Sequence, residues 1–349
     1  MEPDIRRSSG IVPEMLREYG AIVREELQHY LPQREPRRFL YDLVADYPQR
    51  GGKMMRSSLC ISTARAFGAS LEEALGSAIA IELMHNALLV HDDIEDESEE
   101  RRGRPTLHRL HGVPLAINAG DLLSLMSLRP LLDNIDFLGP ELALRILEET
   151  DLMAQETAEG QAMELGWRQE NTTSLQTSDY LEMVLKKTCW LASIYPIRIG
   201  ALIGTRGQVD LDAFFHFGFF LGASFQIQDD LLNLERDDGR YGKECDGDLW
   251  EGKRTLMLIH LLKHSSPEER ERLCALLSCK REERTHRQIR WMHKLMITRG
   301  SIQHAERIRD RLRDQALIEY DRLFEHLEDS PDKRFLQEIV PWVIHRDVA

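Results

Sequence analysis

The chain has 349 residues, with 45 Lys+Arg against 59 Asp+Glu and a formal net charge of −14, which argues against nucleic acid and against general attraction to anionic membranes, so any anionic substrate needs local basic clusters. With 13 prolines, 22 glycines and no long Ser/Gly linker, the length favours one domain over 1–349 with a sizeable core, residues 1–10 being flexible. Scattered cysteines (Cys60, Cys189, Cys245, Cys274, Cys279) lack metal-ligand spacing and read as reduced thiols of a soluble cytoplasmic protein, since no signal-peptide hydrophobic region and no run of about 18 apolar residues is evident.

Residues 11–31 place Val12, Met15, Leu16, Tyr19, Ile22, Val23 and Leu27 at helical spacing, and Pro32 closes that helix. Gly51-Gly52-Lys53-Met54-Met55-Arg56 reads as a glycine turn opening a helix. Free amides and two cations there suit a phosphate, although an ordinary solvated basic turn has the same composition. The next helix starts on a Ser70–Glu73 capping box, carries Ile79, Ile81, Leu83, Met84, Leu88 and Leu89, and runs into His91-Asp92-Asp93-Ile94-Glu95-Asp96. Asp92 and Asp96 stand four apart on one face, so two carboxylates meet where the helix dipole is also negative. Hard divalent ions between them and an anionic ligand relieve that repulsion; a solvated acidic helix end is the alternative. His85 lies two turns before Asp92 on roughly the same face, where a satisfied core histidine is the commoner role. His91 reads as structural.

Helical patterns follow over 114–132 and 140–165, and over 181–203 with Lys186-Lys187-Thr188-Cys189. Residues 210–234 form an apolar helix with Gly218 and Gly222 four apart, suited to close packing. It ends in Phe225-Gln226-Ile227-Gln228-Asp229-Asp230 and Asn233. A polar, glycine-bearing stretch over 236–252 then carries Gly242-Lys243 and leads to Lys253, as a loop able to close over a site. Two acidic helix ends, each trailed by basic residues, point to a diphosphate held by magnesium. From 255 onward the pattern is helical, with a Ser266–Glu269 capping box and Pro267 at its first position. Arg270, Arg272, Arg281, Arg284 and Arg287 read as a solvated face. No repeat or strand pattern is present.

With these motifs in this order, the sequence resembles the trans-isoprenyl diphosphate synthases, the polyprenyl synthetase family, and within it the short-chain geranylgeranyl diphosphate synthases of animals and fungi. The resemblance runs from about residue 50 to 260 and more weakly beyond. It implies an all-α fold, a single large helical bundle with a central active-site cavity. A homodimer to which the first helix contributes, and Mg2+, three ions per site, are implied with it. Carried over residue by residue, Lys53, Arg56, His85 and Arg102 would hold isopentenyl diphosphate. Asp92, Asp96 and Asp229 would ligate magnesium on the allylic diphosphate. Arg101, Lys187 and Lys253 would share that diphosphate's charge, with Lys243 closing from the loop. Thr188 and Gln226 would stabilise the allylic cation, while Phe225 and Asp230 belong to the substrate site and Asp93 supports it.

Departures from the family pattern are Ser57 and Met257 where it has proline, Glu164 where it has aspartate, Cys189 where it has glycine, and Asn233 in place of a third aspartate. Product length would depend on the α-helical face before Asp92, formed by Leu88, Ala87 and Met84. No aromatic residue stands at the fourth or fifth position before the motif and no two-residue insertion interrupts it, which favours a C20 product over C15 or C25. A class I terpene cyclase would need Asn, Ser/Thr and Glu at four-residue steps, and from Asn233 those steps fall on Asp237 and Tyr241. A non-catalytic partner subunit usually loses its aspartates or cations, and this chain has both.

Overall fold

The structure, a computed structural model, describes residues 10–234 and 246–345. Helix α1 (Ile11–Gln28) buries Val12, Met15, Leu16, Tyr19, Val23 and Leu27. Its apolar stripe therefore faces the chain's own core. The helix stops short of Pro32 because residues 29–31 tighten into turn bonds to Glu26, Leu27 and Gln28. Helix α2 (Asp42–Gln49) leads through the Gly51–Gly52 turn, with φ of +83° and +148°, into α3 (Met55–Ala66). Lys53 thus precedes the helix and Arg56 lies in its first turn.

Helix α4 (Leu71–Glu95) begins on the Ser70–Glu73 capping box, both of whose reciprocal bonds are made. By length and composition it could cross a membrane, contrary to the sequence expectation. However, 61% of its apolar window is buried inside the protein, as in a core helix. Two short strands follow, β1 (Glu100–Arg101) and β2 (Arg104–Pro105), paired antiparallel around Arg102 and Gly103. Both turn residues have positive φ, 54° and 68°, the geometry that a two-residue hairpin needs to match strand twist. Strands of two residues are too short to show an alternating pattern, so they escape a reading by periodicity.

Helices α5 (Leu107–His111), α6 (Val113–Met126), α7 (Leu128–Leu138) and α8 (Pro140–Gln169) come next. The helix expected over 114–132 breaks at Ser127, three residues before Pro130. A proline cannot donate to a continuing helix but fits the first turn of a new one. Helix α9 (Thr177–Val184), a π-helical segment (Leu185–Ile194) and α10 (Tyr195–Gly204) run without interruption through the predicted helix 181–203. Helix α11 (Phe215–Leu234) completes the inner layer, and α12 (Gly247–Glu251), α13 (Leu256–His264), α14 (Pro267–Ser278), α15 (His286–Thr298), α16 (Ser301–Phe324) and α17 (Pro331–His345) follow.

The packing places α4 against α3, α6 and α7, and α11 against α16 and the π segment, with α10 on α3. The C-terminal arginines are not all solvated. Arg284 is 8% exposed and donates to the carbonyls of Leu249 (3.2 Å), Leu277 (3.2 Å) and Cys279 (3.0 Å). Irregular backbone leaves several carbonyls converging there, and a five-donor guanidinium can satisfy them together.

Gly160 of α8 lies against the π segment so closely that an added Cβ would stand 2.1 Å from Lys187 N and 2.6 Å from Lys187 Cα. Backbone cannot yield as a side chain can. Gly160→Ala is expected to lower stability by about 1–3 kcal/mol, seen as a reduced denaturation midpoint, and to lower activity by displacing Lys187. An unchanged midpoint would count against this contact.

Candidate active site

The end of α4 carries three aspartates in different settings. Asp93 is fully buried, accepting from the Tyr47 hydroxyl and from Arg101, whose Nε is 2.9 Å away. Arg101 is itself buried and kept charged against its burial by Asp93; its Nη2 is 3.5 Å from Asp92 Oδ2. Its main partner is thus a carboxylate of its own chain. Asp92, half-buried, has Lys187 Nζ 3.3 Å from Oδ1, and that lysine also pairs with Glu164. Asp96 is buried, pairs with Arg168, and has Lys253 Nζ 2.8 Å from Oδ2. Lys253 lies 2.9 Å from Glu251 Oε2 as well.

Burial opposes the charge on every member of this cluster, and the opposite charges decide the outcome. Lys187 is held charged by Glu164 and Asp92, Lys253 by Asp96 and Glu251, and Asp96 is kept below the usual carboxylate range chiefly by Lys253. Glu251 is pushed up to about 7 by burial, against the pull of Lys253. Among the described residues no group of three carboxylates, imidazoles or thiols forms a ready metal cage. The oxygens of Asp92, Asp96 and Asp229 are nevertheless hard donors of the type magnesium takes singly, waters and substrate phosphate filling its other positions.

The second acidic end is a relay. Tyr180 donates to Asp230 Oδ2 at 2.8 Å, Gln226 Nε2 donates to Asp230 Oδ1 at 2.7 Å, and Thr188 donates to Gln226 Oε1 at 3.0 Å. Burial raises Asp230 to about 6, its two donors pulling the other way. Asn233 Oδ1 accepts from Asp248 N at 3.0 Å and so ties α11 to the start of α12. Phe225, Gln226 and Asp229 keep partly open faces on α11, as do Met84, His85, Leu88 and Asp92 on α4, whereas Ala87 is fully buried. Lys243 lies outside the described residues.

A third cluster gathers at the start of α3. Lys53 Nζ stands 5.6 Å from the centre of the Trp342 ring. The hairpin turn sends Arg102 back so that Nη1 donates to Tyr47 O at 3.0 Å beside Gly52, where an added Cβ would meet Nη2 at 3.0 Å. Met54, at the helix entry, has a left-handed φ of 51°. His85 and Arg56 share the field of Glu82, a carboxylate 3% exposed that the sequence reading passed over.

The sequence reading also missed Arg168, Tyr180, Glu251 and Tyr47. Arg168 alone had a local signal, standing one helical turn beyond Glu164. Cys189 is fully buried, its Sγ 3.6 Å from Phe219 O. The extra side chain fits because Gly222 opposite has no Cβ; one built there would stand 2.9 Å from that sulfur. A cavity of about 600 Å³, lined by Ile94, His108, Trp250, Arg281 and Arg284 among others, lies beside these clusters, and none of the candidate residues lines it.

The polyprenyl synthetase family model matches residues 37–296. The chain is 33% identical to a geranylgeranyl pyrophosphate synthase of Geoglobus acetivorans, over 97% of this chain and 100% of that one. The structure matches the geranylgeranyl pyrophosphate synthetase of Pyrococcus horikoshii with a TM-score of 0.84 at 30% identity, covering 96% of this chain and 99% of that one. A polyprenyl synthase of Caulobacter crescentus, complexed with calcium and isoprenyl diphosphate, matches with a TM-score of 0.83 at 25% identity over 97% and 99%. Both geranylgeranyl enzymes named here are archaeal, whereas the sequence resemblance is to animal and fungal ones.

Burial, with Arg56 next, depresses His85 to about 4 from an ordinary 6.5. Between those values the unfolded chain binds a proton that the native state does not, so stability is lost as pH falls through that window. His85→Gln removes this contribution. Between pH 7 and 5 its unfolding free energy is expected to fall by about 2 kcal/mol less than that of the parent, read from denaturant titrations at both pH values. Equal losses would show that His85 does not carry the effect.

Proposed function

The chain belongs to the polyprenyl synthetase family, and on that premise we propose that it is a trans-prenyltransferase condensing isopentenyl diphosphate head-to-tail with an allylic diphosphate, with geranylgeranyl diphosphate (C20) as its product. One observation carries the reading. The first acidic helix end has two half-buried lysines, Lys187 and Lys253, within ion-pair distance of Asp92 and Asp96, the field of Lys253 also reaches Asp230 of the second end, and a separate basic cluster lies at the start of α3. One substrate diphosphate is accommodated by each set.

Asp92, Asp96 and Asp229 would hold magnesium, three ions per site in this reading, which when bound neutralises the departing diphosphate. Lys187 and Lys253 are already charged, so an entering diphosphate requires only an exchange of ion-pair partners. Arg101 contributes its positive charge beside Asp92 and Asp93; Lys243, a further candidate cation, lies outside the described residues. Lys53, Arg56, His85 and Arg102 hold isopentenyl diphosphate with its double bond beside the allylic carbon, and proximity supplies much of the remaining rate. Thr188 donates its hydroxyl hydrogen bond to Gln226, which leaves the threonine oxygen's lone pairs available to the allylic cation. The condensed product loses its proton to the diphosphate. Phe225 and Asp230 complete the substrate wall.

The tail would extend from Asp92 back along α4 past Leu88 to Met84 as the floor, while Ala87, fully buried, lies behind that face. A cytoplasmic location agrees with Cys60, Cys189, Cys274 and Cys279 being free. A homodimer would cover the apolar side chains that α6 to α8 leave in solvent, among them Leu125 (65% exposed), Phe137 (67%) and Leu144 (57%). These form a group on neighbouring helices, as dimer faces do.

Purified protein incubated with magnesium, isopentenyl diphosphate and separate C5, C10 and C15 allylic diphosphates is expected to yield C20 prenyl diphosphate, with no product when magnesium is chelated. Met84→Ala is expected to shift the product beyond C20 in chromatography of the dephosphorylated prenols. No condensation by folded protein would sink the assignment, and a C15 or C25 product would move the pocket floor. Light scattering is expected to give twice the chain mass, falling to one for Leu125→Glu with Phe137→Asp.

A further inference from the structure

A buried carboxylate stands beneath the anion site at the start of α3, where its charge would oppose binding. Glu82 is one turn before His85 on α4 and 3% exposed. Its Oε1 accepts from Ser57 Oγ at 2.8 Å and Ser57 N at 3.3 Å, and Oε2 is 3.6 Å from His85 Nδ1. The field of Glu82 reaches Arg56 and Arg102 as well. Ser57 is fully buried, in the first turn of α3, whose N-cap residue Met54 makes no side-chain cap. The amide of Ser57 is therefore one of the helix's orphan donors, and Glu82 caps it from a different helix. Proline, which the family pattern has here, would offer neither the N–H nor the hydroxyl.

We propose that Ser57 and Glu82 are positioning residues for the isopentenyl diphosphate subsite: Ser57 pins Glu82 against the first turn of α3, and Glu82 keeps Arg56, His85 and Arg102 converged before the diphosphate arrives. The inference rests on the reading of that cluster as the isopentenyl diphosphate subsite. Without an internal anion, the two guanidinium groups repel one another and drift apart, and the neutral His85 imidazole loses the carboxylate beside it. Binding would then have to reassemble them, at a cost in affinity. Neither Ser57 nor Glu82 needs to touch the substrate.

Coulomb's law and positioning predict opposite signs, which makes the test decisive. Removing a negative charge beside an anion site should tighten binding if charge alone matters. If Glu82 positions the cations, Glu82→Gln raises the KM for isopentenyl diphosphate about tenfold, and Ser57→Ala raises it about threefold, the scale of one ordinary net hydrogen bond. The KM for the allylic diphosphate stays unchanged in both, and Ser57→Thr, which keeps the hydroxyl, restores the parent value. Arg56→Ala is run in parallel. If it raises the KM while Glu82→Gln and Ser57→Ala leave it unchanged or lowered, the positioning proposal is overturned and the subsite stands. If Arg56→Ala has no effect, the subsite reading falls and the proposal with it. Should Glu82→Gln fail to give the parent circular dichroism spectrum, the Ser57→Ala and Ser57→Thr pair decides alone.

Discussion

Buried charge of both signs, brought together from distant helices, is the constraint on which the rest of this molecule depends. Asp93 and Asp96 on one side and Arg101 on the other are removed from water, and Lys187 and Lys253 stand half-buried among them. Each isolated ion would cost several kcal/mol in such surroundings, and only close pairing offsets that. The backbone must therefore deliver α4, α8, the π segment and the α12 turn to within ion-pair distance of one another. Gly160 lets α8 approach the backbone of Lys187, and Asn233 ties α12 to the end of α11. Packing here serves electrostatics as much as it serves the exclusion of water from apolar side chains.

The parts of this arrangement that are local in sequence are readable from it. The capping boxes at Ser70 and Ser266 depend on residues three apart, and the shared face of Asp92 and Asp96 on residues four apart. The individual helices follow from apolar spacing, while their assembly into one all-α bundle comes from the family resemblance. What periodicity cannot reveal is partnership across the fold. Tyr47 with Asp93, Tyr180 with Asp230 and Arg168 with Asp96 join residues dozens of positions apart. Arg284 misled for the same reason, since its neighbours in sequence are charged while its neighbours in space are carbonyls. The family resemblance supplied Lys53, Arg102 and Lys253 as site residues where spacing gave only basic turns.

Three of the departures from the family pattern meet a compensating neighbour. Cys189 fills room that Gly222 leaves open, Glu164 reaches Lys187 with its longer side chain, and Ser57 hands its extra donors to Glu82.

The π segment between Tyr180 and Tyr195 adds a residue to each turn it occupies. It thereby sets a rotational phase between the residues before it, which reach Asp230, and those after it, which bury against α3. Loss of a single residue anywhere in Leu185–Ile194 would let the stretch relax toward an ordinary helix and turn one end relative to the other by roughly a hundred degrees. Insertions and deletions are tolerated in loops because loops absorb them; a helix that carries Lys187 and Thr188 toward one centre while holding Ile197 in the core cannot. Over evolutionary time this segment should be freer to change its side chains, Lys187 and Thr188 apart, than to change its length.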